Sequence, residues 1–196
     1  MKDIVIIGAG GIGREVAWII EEINEVKPTW NIVGFVDDNN EMHNKELNGY
    51  KVLGGLDVLD KLENKPEVIV SIANCKVKRG IVAKLNNKFD FATIIHPSVR
   101  ISKYIEIGQG TIIYPGVILT VNTRIGNHVI ISGNCGIGHD TVIGDYSSVL
   151  WGSCFSGFDV VGEECFIGVG TKVAQGVSIA DSRRVSTGGI VREDIL

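Results

Sequence analysis

Basic charge, cysteine and long apolar runs are all scarce in this chain, and each scarcity removes a class of function. The 19 Lys and Arg are outnumbered by 23 Asp and Glu, for a net charge of −4. The electropositive footprint of a nucleic-acid binder is therefore missing. Only four cysteines are present. Cys135 and Cys165 fall at different corners of the repeat described below and read as core thiols rather than a disulfide. Cys75 and Cys154 lack metal-ligand spacing, so no metal is expected. No apolar run reaches the roughly 20 residues that span a bilayer. Lys2 and Asp3 lead straight into a short strand rather than a signal-peptide core. The expectation is a soluble, cytoplasmic protein with no nucleic-acid partner and no membrane insertion.

What the chain does have is a period of six. Taken every sixth residue from Ile95 through Ile101, Ile107 and Ile113 to Val191, seventeen consecutive positions are apolar. At a hydrophobic content of 44%, chance gives such a run roughly once in a million tries per phase. A second column, two residues earlier, is mostly small or β-branched: Thr111, Thr123, Cys135, Thr141, Ser147 and Cys165 are among its members. Residues two apart on a strand share a face. Gly often follows the main position, as at Gly108, Gly126, Gly138 and Gly144, where a corner needs an unusual backbone. Three such units close a triangular coil of 18 residues, and successive coils stack through parallel hydrogen bonds about 4.8 Å apart.

The front of the chain is different. Asp3 to Ile7 reads as a buried parallel strand, Gly8-Ala9-Gly10-Gly11-Ile12-Gly13 as a turn, and Arg14 to Ile23 as a helix. Strand, glycine turn and helix are the context of a phosphate-binding turn, in which backbone N–H groups and the positive helix end face an anion. A second strand, Ile32 to Val36, ends in Asp37-Asp38, whose carboxylates can accept hydrogen bonds from ribose or sugar hydroxyls. A helix is expected near Leu56 to Leu62, a third strand over Val68 to Ile72 ending in Ala73-Asn74, and a helix over Val77 to Leu85. Too little chain precedes Ile95 for a full dinucleotide-binding domain. Residues 1–92 are read as a half-size Rossmann-like α/β domain with room for one nucleotide, and residues 93–196 as the all-β repeat domain.

The combination of Gly-Ala-Gly-Gly-x-Gly-Arg-Glu-Val, Gly-Phe-Val-Asp-Asp, Ile-His-Pro-Ser and Ile-Gly-His-Asp-Thr-Val-Ile-Gly-Asp resembles the sugar acyltransferases of the sialic acid O-acetyltransferase and UDP-4-amino-sugar N-acetyltransferase type, over nearly the whole chain. The resemblance implies a left-handed parallel β-helix of hexapeptide repeats behind the Rossmann-like half-domain. It implies acetyl-CoA as co-substrate, a sugar or sugar-nucleotide acceptor and a homotrimer with sites between neighbours. In that family the His of a His-Asp or His-Glu pair is the general base. The match falls on His139 and Asp140. An imidazole, which ordinarily titrates near pH 6.5, can take a proton from an attacking amine or hydroxyl; an ordinary polar corner is the alternative. One coil is 18 residues, so Gly157 lies over His139, and its N–H is expected to bind the oxyanion of a tetrahedral intermediate. The resemblance further implies acetyl-CoA contacts at Ser148, Gly157, Val169 and Thr187, and acceptor contacts at Gly10, Gly11, Ile12, Asp37, Asp38 and Ala73.

Relatives of this type commonly carry His at Ile12 and Gly at Ala73, departures that bear on the substrate. They also continue past the last coil into a Gly-x-Pro-Ala tail that helps cover coenzyme A; stopping at Leu196 implies weaker cofactor binding or a truncation. His96 reads as a cap of the first coil, and His128 as a solvated or trimer-interface corner. Lys76, Lys78 and Arg79 read as a solvated helix start. Arg183, Arg184 and Arg192 face either coenzyme A or solvent, and Trp151 and Phe158 form an interface or a pocket wall. Two rival functions stay open: O-acetylation of a free sugar or other small hydroxyl compound, and a non-catalytic sugar-nucleotide-binding scaffold. Thioester cleavage with candidate acceptors separates them.

Overall fold

The structure, a computed structural model, describes residues 1–62 and 64–196. Its front is a three-stranded parallel sheet in the order β2-β1-β5, made of β1 (Lys2–Ile7), β2 (Trp30–Val36) and β5 (Glu67–Val70). Two short antiparallel strands, β3 (Glu46–Leu47) and β4 (Tyr50–Lys51), form a hairpin between β2 and β5. Helix α1 (Gly11–Val26) covers one face of the sheet and buries Val16, Ala17, Ile19 and Ile20. On the other face, α2 (Cys75–Leu85) and the 3₁₀ helix Leu56–Lys61 pack with Val5, Ile7, Val68 and Val70. The segment expected as a helix near Leu56 to Leu62 is thus a 3₁₀ helix. Its i to i+3 bonds run from Val58 N–H to Gly55 O at 3.0 Å and from Leu62 N–H to Leu59 O at 3.4 Å.

Behind the sheet the chain winds into a parallel solenoid whose three faces hold five, six and five two-residue strands. The register is one coil per 18 residues: Arg124 lies on Val142, Ile130 on Ser148 and Gly136 on Cys154. The six-residue positions point inward; Ile131, Ile137, Ile143 and Val149 are at most 1% exposed. Each such side chain contributes about 1.5–3 kcal/mol on burial. Their column is continuous with the core under α1, so front and solenoid share one apolar interior. None of the described helices is long and apolar enough to cross a membrane.

The two parts dock through polar side chains that look solvated in the sequence. Lys78 is fully buried. Its Nζ donates to Ser147 O at 3.2 Å and Ser148 Oγ at 3.1 Å, from α2 into the solenoid. His128, expected as a solvated or trimer-interface corner, is 2% exposed. It stacks on Tyr146 at 5.3 Å and meets Phe91 edge-on at 4.7 Å. Arg79 reaches Glu163 and Glu164 across the same seam and lies over Tyr146, whereas Lys76 is exposed. His96 bonds Glu22 of α1 through Nε2 and sits 2.7 Å from Ser98 Oγ through Nδ1. The corrections at Lys78, Arg79 and His128 share one cause. The repeat tells inward from outward, but it does not tell which outward face the front of the chain covers.

Burial lowers the Lys78 pKa from 10.5 to about 7. Burial first, then the Lys78 charge, lowers that of His128 from 6.5 to about 4. Both groups take up protons more readily in the unfolded chain, so stability rises with pH. The Lys78 contribution rises between pH 7 and 10.5, and the His128 contribution between pH 4 and 6.5. Lys78→Met should therefore raise stability at pH 7, and with it the melting temperature, by up to the ~1–4 kcal/mol gained when buried charge is replaced by apolar volume. It should also flatten the rise above neutrality. Thermal melts from pH 6 to 10 check this; a variant less stable than the parent at every pH contradicts it.

Candidate active site

His139 and Asp140 sit on the corner between the strand Gly136–Ile137 and the strand Val142–Ile143. Asp140 takes a left-handed backbone, φ 57°, which Asp tolerates better than most residues. The corner is clamped from both sides, with Asp140 N–H donating to Val121 O at 3.0 Å and Phe158 N–H to His139 O at 2.9 Å. Asp140 Oδ2 is 2.9 Å from His139 Nδ1, and Asp140 Oδ1 accepts from Asn122 Nδ2 at 2.9 Å. These two bonds hold the Asp140 carboxyl below its ordinary pKa, Asn122 first. A carboxylate only accepts, so Nδ1 carries the proton and the Nε2 lone pair is open. The His139 side chain is 44% exposed, with the Phe158 ring edge-on at 4.8 Å.

Gly157 lies one coil above, as the spacing requires. A Cβ there would come within 3.0 Å of His139 Cε1 and Nε2, and its φ is +135°. Glycine therefore leaves room open above the base, a cradle that suits a thioester. The Gly157 N–H, expected to bind the oxyanion, donates here to Asp159 Oδ2 at 3.1 Å, inside the solenoid. Asp159 was not singled out in the sequence, although a carboxylate in a column of small and β-branched residues is a visible irregularity.

The other implied cofactor contacts divide. Ser148 is fully buried under α2. It donates to Ala73 O at 2.9 Å and accepts from Lys78, so its hydroxyl is engaged inside the chain. Val169 is 41% exposed. Thr187 is exposed one coil above it, with Gly188 N–H bonded to Val169 O at 2.7 Å. Val169 and Thr187 share the corner column of Trp151, a different edge of the solenoid from His139. Of the three arginines, Arg184 covers Phe166 at 4.1 Å, and Arg183 and Arg192 are exposed.

At the front, the glycine turn is built as the motif implies. Gly13 brings α1 onto the turn so closely that a Cβ would sit 1.9 Å from Gly8 O. Gly10 and Gly11 border open space, and the α1 N-terminus has no side-chain cap. Asp37 accepts from Ala9 N–H at 2.8 Å and Asn39 N–H at 2.9 Å, while Asp38 accepts from Leu56 N–H at 3.0 Å. A cavity of about 190 Å³ opens there, lined by Gly8, Asp37, Asp38, Leu56, Ile72 and Val77 among others. Ile12 is half-buried beside the turn. Ala73 does not line the cavity; its carbonyl is turned to Ser148. Glu15, near the start of α1, accepts from Tyr114 OH at 2.9 Å, and Tyr114 meets Trp151 edge-on at 5.7 Å. The glycine turn thus stands over the Trp151 edge. A larger hollow of about 430 Å³, around Lys65, Lys88 and Gln109, lies at the opposite end of β5 and holds none of these residues. Among the described residues no group of three or more His, Cys, Asp or Glu is placed to hold a metal ion.

Residues 3–85 match the PglD N-terminal domain family. Over 174 residues the chain is 32% identical to GDP-perosamine N-acetyltransferase of Escherichia coli O157:H7, covering 88% of this chain and 78% of that one. It is 30% identical over 117 residues to UDP-N-acetylbacillosamine N-acetyltransferase of Bacillus subtilis (strain 168), covering 58% and 51% of the two. The crystal structure of PerB from Caulobacter crescentus in complex with CoA and GDP-perosamine superposes with a TM-score of 0.90 at 26% identity, over 100% of this chain and 91% of that one. Likeness along most of both chains, on the fold already described, makes the relationship plain: the chain belongs to the PglD-type sugar acetyltransferases, with acetyl-CoA as its co-substrate.

Proposed function

We propose that this enzyme acetylates the amine of a nucleotide-linked amino sugar, with His139 as general base, in a cytoplasmic homotrimer whose sites lie between neighbouring chains. The observation that carries the reading is the His139 Nε2 lone pair, fixed by Asp140 and roofed by Gly157. Acetyl-CoA supplies the activated acetyl group. Nε2 takes the proton from the acceptor nitrogen as it attacks, and Asp140 stabilises the resulting imidazolium. Attack is direct: among the described residues the His139 ring hydrogen-bonds only to Asp140, with no Ser or Cys nucleophile. The cavity by Asp37 and Asp38 and the open α1 N-terminus suit the nucleoside and its phosphates. The N-acetyltransferase names of the relatives support an amine, and the more extensive match supports a GDP-linked sugar.

The trimer rests on geometry. The glycine turn, Trp151, Val169 and Thr187 follow one edge, and His139 and Gly157 another, so an acceptor at the first edge meets a base from a neighbour. Apolar side chains on the two uncovered faces, Ile118 at 65%, Val160 at 47% and Ile190 at 63% exposed, fit burial between copies. Light scattering should report three chains per particle; a monomer at micromolar concentration sinks the shared site.

GDP- and UDP-linked amino sugars should raise the melting temperature where NAD does not. A ligand at a hundred times its Kd adds about 2.7 kcal/mol. Stabilisation by NAD alone would refute the acceptor assignment. His139→Ala should lower kcat by about 10²–10⁴-fold at saturating acetyl-CoA, Asp140→Asn less, and Gly157→Ala severely by crowding Nε2. Initial rates decide it, because a His139→Ala enzyme with more than about a third of parental turnover leaves no role for the base.

A further inference from the structure

The Asp140 carboxylate is held differently from the carboxylates at another edge of the solenoid. Asp145 accepts from the backbone N–H of Asn127 at 2.7 Å, and Asp181 from that of Glu163 at 2.8 Å, each in the coil below. Asn127 Nδ2 also reaches Asp145, at 3.1 Å, but in addition to the backbone anchor. Among the described residues Asp140 accepts from no backbone N–H. Its Oδ2 meets His139 Nδ1 at 2.9 Å, and its Oδ1 meets Asn122 Nδ2 at 2.9 Å. A carboxylate only accepts, so the Asn122 amide presents its NH₂ group here. The side chains of His139 and Asp140 are 44% and 34% exposed, and packing alone does not fix them. Without the amide, the carboxylate would be free to turn and leave Nδ1 to water.

Asn122 lies one coil below Asp140, and the height between them is set by the Asp140 N–H bond to Val121 O at 3.0 Å. Its backbone is left-handed, φ 58°, which Asn tolerates. That corner alone is reason enough for an Asn; Asn44, Asn48, Asn87 and Asn134 share the conformation. It does not account for the bond to Oδ1. A hollow of about 490 Å³ beside the amide brings in Lys103, Glu106 and Arg124. Arg124 is paired with Glu106 at 3.6 Å and Lys103 lies over Tyr104 at 5.0 Å, so neither cation takes the place of Asn122. Resting on the acetyl transfer proposed above, we propose that Asn122 is a positioning residue that acts through Asp140. Its amide holds the carboxylate with Oδ2 on Nδ1. This keeps the ring proton on Nδ1 and the lone pair on Nε2, where the acceptor nitrogen arrives. The lowered pKa of the Asp140 carboxyl, for which the Asn122 bond is the first cause, follows from the same contact.

Asn122→Gly removes the amide yet suits a left-handed corner, so it separates the bond from the backbone. Asn122→Asp keeps the shape but, once ionised, cannot donate. With acetyl-CoA and GDP-perosamine, each should lower kcat by about 3- to 10-fold. Asn122→Gly should keep the melting temperature and particle size of the parent. In an Asp140→Gly enzyme, adding Asn122→Gly should change kcat by less than about twofold, because no carboxylate is left to position. Asn87→Gly, at a left-handed turn (φ 66°) beyond α2, should keep parental kcat. Parental kcat in Asn122→Gly or in Asn122→Asp overturns the proposal. So does a full further loss in the Asp140→Gly enzyme, since Asn122 would then act elsewhere. Nitrogen NMR of His139, at a pH where the ring is neutral, reads the positioning without turnover. The parent should show the Nδ1–H tautomer and Asn122→Gly should gain the Nε2–H form; the same tautomer in both also overturns the proposal. A parent enzyme that acetylates neither GDP- nor UDP-linked amino sugars refutes the activity instead, and leaves the tautomer result to decide the positioning.

Discussion

The vertical register of 18 residues, held by parallel hydrogen bonds between coils, is the constraint on which the site depends. His139 is fixed through Phe158 above it and Asp140 through Val121 below it. The imidazole therefore projects from a backbone that cannot shift without breaking bonds to two neighbouring coils. Placement on such an element holds a general base to the sub-ångström tolerance that proton transfer needs. It also explains why the roof is a glycine. A strict stack puts residue 157 over residue 139, and any side chain there would meet the ring.

The same stack creates the seam that orients the front of the chain. Its two aromatic rings and one ammonium group, from His128, Tyr146 and Lys78, are packed where α2 meets the solenoid. A buried ammonium with neutral acceptors costs more than an apolar residue of equal volume, so this seam gives up stability. In return the docking has direction. Lys78 Nζ meets Ser147 O and Ser148 Oγ in one alignment, and Ser148 meets Ala73 at the end of the sheet. The Asp37–Asp38 cavity is thereby set at a fixed height on the solenoid.

The proposed catalytic and acceptor features lie on different edges of one chain, and this is a consequence of the triangle. A single prism presents each column outward at its own corner, so a cleft between two corners arises only between prisms. The apolar residues on the uncovered faces and the split site thus have one explanation in the proposed trimer.

The sequence by itself determined the repeat, its inward columns, the glycine turn before α1, and the stacking of Gly157 over His139. All of these are periodic or local, and sterics force them at the level of a few residues. The sequence did not determine that Leu56–Lys61 closes as 3₁₀, nor that Ser148, Lys78 and His128 are buried together. Periodicity separates inside from outside, but which outside face is covered depends on where a distant helix docks. Nor did it determine the direction of the Gly157 N–H. Only the tertiary structure decided that, because the carboxylate of Asp159, two residues on and just before the next strand, is buried inside the prism and accepts that hydrogen bond.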